Sequence, residues 1–249
     1  MSDLPPYRPE PARQPVFNAP TCVVALCGLL AAIHAIRVLL LSDAVDFEVL
    51  LQFAFIPRRY GLPEAEFFAA TGLGPRLWTP VTYALLHGNW MHLGFNLVWF
   101  VAFGTPVARR FGATRFILFC AVTAVVGAGA HYLSYPEGGV PLVGASGAIS
   151  GVMAAAVRFI FAPGGALSPR WSGRPSEHNT AHTLGEGLRD RRVLVFMALW
   201  VGFNLLLGLG VSLPGIGDAE VAWQAHIGGF LAGLLLFDLF DPVRMRRAR

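Results

Sequence analysis

The sequence contains no lysine and few charged residues of either sign. All 19 basic residues are Arg, and charged residues make up 14% of the 249 residues, against about 25% in an ordinary soluble domain. Hydrophobic residues make up 55% of the chain. This composition excludes an ordinary soluble domain and predicts an integral membrane protein, with no length left for a second globular domain.

Nucleic-acid binding is a second class that the sequence disfavours, although the formal net charge is +4. The Arg residues lie mostly in short segments between apolar runs, where they are typical of membrane topology signals. We therefore expect no nucleic-acid partner, and we expect the lipid bilayer to surround the chain.

Metal-binding motifs are also absent from the sequence. The three cysteines, Cys22, Cys27 and Cys120, lie inside apolar runs at spacings that match no metal site, so they are interpreted as small buried hydrophobic residues. His87 and His92 lack the intervening Glu of a His-Glu-x-x-His zinc site. No metal ion and no cofactor is expected.

Six apolar runs are long enough to cross a bilayer, which takes roughly 20 residues in a helix. They cover 20–41, 81–106, 116–135, 143–162, 193–212 and 221–239. Asp238, at the end of the sixth run, is the only Asp or Glu within them. The predicted fold is therefore all-α, a polytopic bundle of six transmembrane helices within residues 20–240.

The distribution of Arg predicts the orientation of the bundle. Arg residues concentrate in both tails and in the second and fourth loops, whereas the short third and fifth loops contain none. The positive-inside rule then predicts that both termini are cytoplasmic. The Pro-rich segment 1–19 is predicted to be a disordered cytoplasmic tail, and 241–249 a basic cytoplasmic tail.

Two long loops interrupt the bundle. The first, 42–80, mixes Phe with Arg and Glu, which predicts an amphipathic segment in the outer membrane interface. The fourth, 163–192, is rich in Gly, Pro and Ser, which predicts a flexible cytoplasmic loop.

The string Gly144-Ala145-Ser146-Gly147 opens the fourth apolar run. Ser146 is therefore expected near a helix N-terminus, where free backbone N–H groups and the helix dipole can stabilise an oxyanion. Helix packing is the alternative interpretation, and the commoner one for Ser in a Gly-rich membrane helix, because Gly147 and Gly151 form a small-xxx-small pair. The motif alone does not choose between the two.

An ionisable residue, His226, lies inside the sixth run. It shares a helical face with Gly229 and Gly233, which form a second small-xxx-small pair. A histidine at membrane depth indicates function, although a packing histidine is the alternative. Two glycine faces predict that the fourth and sixth helices pack closely, which would bring His226 near Ser146.

A third group of polar residues lies in the second run, between His87 and Asn96. His92 and Asn96 are four apart, so they share a helical face, and both can donate hydrogen bonds to an oxyanion; interhelical hydrogen bonding is the alternative. His87 lies off that face and is expected only to support the loop. All three groups reach similar depths from the outer side at helical rise, which predicts a water-filled cavity open to that side.

The distribution of carboxylates narrows the chemistry. Gly215-Ile216-Gly217-Asp218 fits an intramembrane aspartyl-protease pattern, but that chemistry needs two carboxylates, and Asp218 is expected in a loop. Asp238 and Asp241 lie about 18 Å or more from His226 at helical rise, too far to form a triad. We therefore predict a dyad in which Ser146 attacks a carbonyl and His226 takes its proton.

Together these motifs resemble the rhomboid intramembrane serine proteases over roughly residues 78–240. The resemblance implies that Ser146 is the nucleophile and His226 the base. It implies an oxyanion hole made of His92, Asn96 and the Ser146 backbone N–H. Supporting residues implied in the same way are Gly144 and Gly147, which flank the nucleophile, and Gly229, which allows close packing.

The same resemblance implies that the substrates are single-pass transmembrane proteins, cut in or near the membrane without a cofactor. The chain departs from the family at Ser150, where many members carry an aromatic residue that packs on the histidine. Trp223 or a hydrogen bond is then expected to orient His226. The Trp-Arg pair often found in the first loop of the family is also absent, although Arg58 and Arg59 are near.

Two other functions remain open from the sequence. An inactive rhomboid-like protein that binds transmembrane clients is the first, although such relatives typically lose the Ser or the His. A small transporter or channel is the second, although transporters often carry carboxylates in their spans. The size and composition of the chain lead us to expect a bacterial inner membrane protein.

Overall fold

The computed structural model describes residues 18–61, 73–170, 173, 175–209 and 221–243. Within these residues the chain folds into helices joined by loops, and the all-α prediction is confirmed. The helices are α1 (Thr21–Leu40), α2 (Asp43–Phe53), α3 (Arg58–Gly61), α4 (Gly74–Thr82), α5 (Trp90–Phe111), α6 (Ala113–Ser134), α7 (Ser146–Ile160), α8 (Leu184–Gly187), α9 (Arg191–Gly208) and α10 (Trp223–Phe240).

Among the described residues, five helices are long and apolar enough to cross a membrane, namely α1, α5, α6, α9 and α10. The fourth predicted span, 143–162, forms the shorter helix α7 of 15 residues, or about 22 Å at helical rise, against a hydrocarbon layer of about 30 Å. Every residue of α7 after Ser146 is buried. Because protein and not lipid surrounds α7, its length need not match the thickness of the bilayer.

The second predicted span, 81–106, has the wrong boundaries. Residues 81 and 82 end α4. Residues 86–89 are not helical, and α5 then runs from Trp90 to Phe111. Asn89 caps α5, and its side-chain oxygen accepts a hydrogen bond from the His92 backbone N–H at 2.8 Å. Tyr83 and Leu86 are buried in protein and not exposed to lipid. Hydropathy does not distinguish these two environments, so the predicted span continued across the turn before α5.

Helices α7 and α10 touch through their glycines. A Cβ atom on Gly229 would lie 2.0 Å from the Gly147 carbonyl oxygen, and one on Gly233 would lie 2.2 Å from that of Gly151. The close packing predicted from the two small-xxx-small pairs is therefore confirmed, and larger residues would force the two backbones apart.

Two ion pairs, of which the Arg110–Asp241 pair is fully buried, close the end of the bundle that lies away from Ser146. The Arg110 guanidinium donates to both carboxylate oxygens of Asp241 at 2.9 and 2.7 Å, and Arg158 donates to Asp238 at 3.0 Å. Both guanidinium groups also bind backbone carbonyls of the fourth loop, namely those of Glu177, Asn179 and His182. Buried arginines therefore anchor part of the fourth loop, 163–192, to the bundle, and its predicted flexibility stays a prediction.

The first loop, 42–80, contains α2, α3 and most of α4, so its predicted end lies inside a helix. Phe55 is buried and exchanges two backbone hydrogen bonds with Leu142, which ties the loop to the segment before α7. The part of the loop around Phe55 therefore packs on the bundle, and the predicted position of the loop in the outer membrane interface stays a prediction. Phe67 and Phe68 lie outside the described residues, as do 1–17 and 244–249, so the predictions for the tails are untested.

Candidate active site

Ser146 is the first residue of α7, and the turn before it depends on a glycine. Gly144 has φ +122°, a conformation that disfavours any side chain, and its N–H donates to the Tyr83 carbonyl at 3.0 Å. Tyr83 is itself buried, and its hydroxyl donates to the Ala124 carbonyl on α6 at 2.9 Å. The turn is thus fixed from two sides, and it brings the Ser146 hydroxyl to the N-terminal end of α7.

His226 lies opposite Ser146 on α10. Its Nε2 atom is 2.7 Å from the Ser146 hydroxyl, although the two residues are 80 positions apart in the chain. The Gly147–Gly229 contact occurs one residue after Ser146 and three residues after His226, so it sets this distance directly. A serine hydroxyl bonded to an imidazole nitrogen is the arrangement that activates a serine for nucleophilic attack.

The other ring nitrogen of His226 is bonded to a residue that was not predicted. Nδ1 lies 2.6 Å from the side-chain oxygen of Asn204 on α9. Ser150, at the position where the family often has an aromatic residue, instead donates to the Ser146 backbone carbonyl at 2.7 Å. The expected hydrogen bond to His226 therefore exists, and it comes from α9. The only signal in the sequence was a lone amide in an apolar run, which by itself also fits helix packing.

His92 lies beside Gly144 and Ser146. A Cβ on Gly144 would be 2.7 Å from His92 Nε2 and 3.6 Å from the Ser146 hydroxyl oxygen, so the His92 ring occupies the space that this glycine leaves. The Gly88 N–H points at His92 Nδ1 over 3.5 Å. This contact favours the tautomer in which Nε2–H is a donor directed toward the site.

Asn96 lies one helical turn after His92 and is buried. Its amide nitrogen donates to the His92 backbone carbonyl at 3.0 Å. An amide carries two N–H donors, so one remains for a second acceptor. Asn96 thus lies on the same face of α5 as His92, as expected from the sequence. The hydrogen bond that its side chain donates is to a carbonyl of the same helix.

His87 is fully buried and has a larger structural role than the loop support expected for it. Its ring centroid lies 5.2 Å from that of His92 and 6.4 Å from that of His34. Its carbonyl accepts a hydrogen bond from Arg37 at 3.0 Å, and Arg37 is paired with Asp46 at 2.7 Å. Burial, together with these neighbouring His and Arg side chains, lowers the pKa of His87 to about 3, so its ring is neutral.

Within the described residues, no group of three or more His, Cys, Asp or Glu side chains could hold a metal ion. The Gly215-Ile216-Gly217-Asp218 string lies outside them. The described site therefore consists of a hydroxyl, two imidazoles and two amides, without a carboxylate hydrogen-bonded to His226.

Known proteins with similar sequences are proteases by name. The chain is 28% identical to the rhomboid protease GlpG of Haemophilus influenzae over 163 residues, which cover 64% of this chain and 67% of that protein. It is 26% identical over 181 residues to the GlpG of Pectobacterium atrosepticum, covering 72% of this chain and 55% of that one. It is 27% identical over 164 residues to the GlpG of Yersinia pseudotuberculosis, covering 65% of this chain and 47% of that one. The chain thus spans about half to two thirds of the length of these curated relatives.

The model of the Rhomboid domain family matches residues 74–240, from the start of α4 to the end of α10. This match covers more than half of the 249 residues and contains Ser146, His226, His92 and Asn204. Because the family model spans the helical core and the residues around Ser146, the chain belongs to the rhomboid family.

Proposed function

We propose that this protein is an intramembrane serine endopeptidase that cleaves transmembrane protein substrates. The observation that carries the proposal is the 2.7 Å hydrogen bond between the Ser146 hydroxyl and His226 Nε2, with the His92 ring beside it. The names of the relatives, rhomboid protease GlpG, point to the same activity.

In the proposed reaction, Ser146 attacks the carbonyl carbon of the scissile peptide while His226 Nε2 accepts the hydroxyl proton. Negative charge then develops on the carbonyl oxygen. Donors for this oxyanion are the Ser146 backbone N–H, at the positive end of α7, and the Nε2–H of His92. The remaining amide hydrogen of Asn96 is proposed as a third donor.

The intermediate collapses when His226 returns the proton to the leaving amine. A water molecule, activated by the same imidazole, then hydrolyses the acyl-enzyme and regenerates Ser146. Water must therefore reach Ser146, and we propose a water-filled cavity open to the outer side. The short length of α7 supports such a cavity. A helix of 15 residues is shorter than a full membrane span, so Ser146 at its first position can lie below the membrane surface.

The proposed substrates are single-pass membrane proteins. The apolar helices and the family make this chain an integral membrane protein, so substrates in the same bilayer have direct access to it. We propose residues 20–240 as the rhomboid domain, in a bacterial inner membrane with both termini cytoplasmic, as the Arg distribution indicates. Reporter fusions at each terminus test the orientation, and outward-facing termini would contradict it.

Cleavage of a model single-pass substrate in liposomes tests the proposal. Ser146→Ala and His226→Ala are each expected to lose activity by about 10⁶-fold, because the two groups act as one unit. Ser150→Ala, which removes another serine hydroxyl from the same helix, is the matched control and should retain cleavage. A serine-reactive phosphonate should label the wild type and not Ser146→Ala.

The second candidate is an inactive relative that binds transmembrane clients. In that case the wild type would bind the model substrate without cutting it, and Ser146→Ala would bind equally well. Cleavage that persists in both Ser146→Ala and His226→Ala would contradict a protease that works through these two residues.

A further inference from the structure

Helix α9 places one polar side chain against the proposed base. Among its 18 residues, all described, only Val193 and Asn204 are buried. Asn204 is 3% exposed, and its side-chain oxygen lies 2.6 Å from His226 Nδ1, on the opposite side of the ring from Ser146. Burying an amide in a membrane-spanning helix costs free energy unless the amide is hydrogen-bonded. The hydrogen bond to His226 therefore stabilises Asn204 at the α9–α10 interface.

The orientation of the Asn204 amide is determined independently of His226. Its nitrogen donates to the Trp200 carbonyl, one turn earlier on α9, at 2.8 Å. A carbonyl can only accept, so the amide oxygen must be the atom that faces His226. That oxygen accepts from Nδ1–H, which leaves the lone pair on Nε2 directed at the Ser146 hydroxyl. A reversed amide would favour the opposite tautomer, in which Nε2 cannot accept a proton.

Two aromatic contacts enclose this hydrogen bond. One helical turn before Asn204, Trp200 stacks on Phe230 of α10 with ring centroids 4.3 Å apart. One turn after Asn204, the Trp223 ring packs on Gly208 so closely that a Cβ there would lie 2.2 Å from it. The amide–imidazole bond thus lies in the middle of an antiparallel seam of α9 and α10, between two aromatic rings.

We propose that Asn204 is the positioning residue of this site, so that the working unit is a neutral Ser146–His226–Asn204 triad. The inference rests on the proposed function and extends it. Asn204 holds the imidazole in the tautomer that accepts the Ser146 proton, the role that an Asp or Asn has in other serine and cysteine hydrolases. Because Asn204 belongs to α9, the position of α9 against α10 becomes a condition for catalysis.

The test compares Asn204→Leu with Leu205→Ala, an exposed control on the same helix. Leu has a similar volume but no acceptor, so kcat should fall by roughly 10²-fold, the cost of a misplaced reacting group, with KM within about twofold of wild type. Leu205→Ala should leave both constants unchanged. A melting temperature in detergent, measured for each variant, establishes that the loss is not one of folding.

The conservative variant Asn204→Asp separates positioning from packing. A carboxylate also accepts from Nδ1–H and stabilises the imidazolium, so kcat should recover above that of Asn204→Leu. The acidic limb of the kcat/KM profile should also move to higher pH. A residue that only anchors α9 would change neither the pH profile nor the ratio of kcat to KM.

A spectroscopic measurement on the wild type does not depend on the folding of any variant. In ¹⁵N-histidine-labelled protein at neutral pH, we expect His226 to carry its proton on Nδ1, with Nε2 unprotonated. The opposite tautomer, or an Asn204→Leu variant with wild-type kcat and pH profile, would overturn the proposal. If Ser146→Ala also retained activity, the failure would lie with the proposed function and not with Asn204.

Discussion

A single methyl group at Gly229 should disable the protein without touching any polar group of the site. In Gly229→Ala the new Cβ would lie 2.0 Å from the Gly147 carbonyl oxygen, whereas ordinary contact begins at 3.4 Å. Both partners are backbone, so no side chain can turn aside, and α7 and α10 must separate by about 1 Å or more. Such overpacking costs about 1–3 kcal/mol of stability.

The effect on catalysis should exceed the effect on stability. Gly147 follows Ser146 directly, and Gly229 is one turn after His226, so the separation acts on the 2.7 Å bond between them. A misplacement of about 1 Å in a reacting pair costs roughly 10²-fold in rate. We therefore expect kcat in liposomes to fall by about that factor, with a comparable loss of phosphonate labelling at Ser146.

The matched control is Gly129→Ala on α6, where an added Cβ would meet nothing within 4 Å. Alanine is the better helix former by about 1 kcal/mol, so this variant should be neutral or slightly stabilised. Wild-type kcat and melting temperature in Gly229→Ala would refute the argument, because the α7–α10 contact would then be able to relax without moving the site.

Three further predictions follow from other contacts. Gly144→Ala forces a side chain onto φ +122° and into the His92 ring, so kcat should fall by about 10²–10³, as for a lost oxyanion donor, while the variant still melts cooperatively. Asp241→Ala leaves the buried Arg110 guanidinium unpaired and should cost about 3–5 kcal/mol in reversible unfolding; no change would show that the pair is solvated. Burial lowers the pKa of His87 from 6.5 to about 3, so between these values the unfolded chain binds the proton and the folded one does not. Stability from this residue is therefore fully present above about pH 6.5 and declines as the pH falls, by about 1.4 kcal/mol per pH unit, and melting curves of His87→Gln should show a weaker decline.

The apolar runs predicted the number and order of the main helices, because each run must be shielded from water along its length. Their ends were less predictable. Arg110 lies inside α5, although a charged residue usually ends a span, because Asp241 neutralises it inside the bundle. Tyr83, Ala84 and Leu86 are buried in protein, and they extended the predicted second run because hydropathy does not distinguish burial in protein from burial in lipid.

The four residues proposed from the motifs, Ser146, His226, His92 and Asn96, could be selected from the sequence because each is polar at an expected depth. Asn204 could not be selected in the same way. A single amide in an apolar run is common in helix packing, and its importance depends on which way α9 is rotated and on what faces it. That information resides in the contact between α9 and α10, which only the three-dimensional structure contains.

The sequence by itself determined that the chain is a helical membrane protein with a serine at a helix start and a histidine at membrane depth. These properties depend on local composition and on helical periodicity, which are read along the chain. Only the tertiary structure decided that Ser146 and His226 are bonded, that Gly144 makes room for His92, and that Asn204 holds the second nitrogen of His226. The reason is that these contacts depend on how closely glycine faces let separate helices approach, a distance that no local pattern specifies.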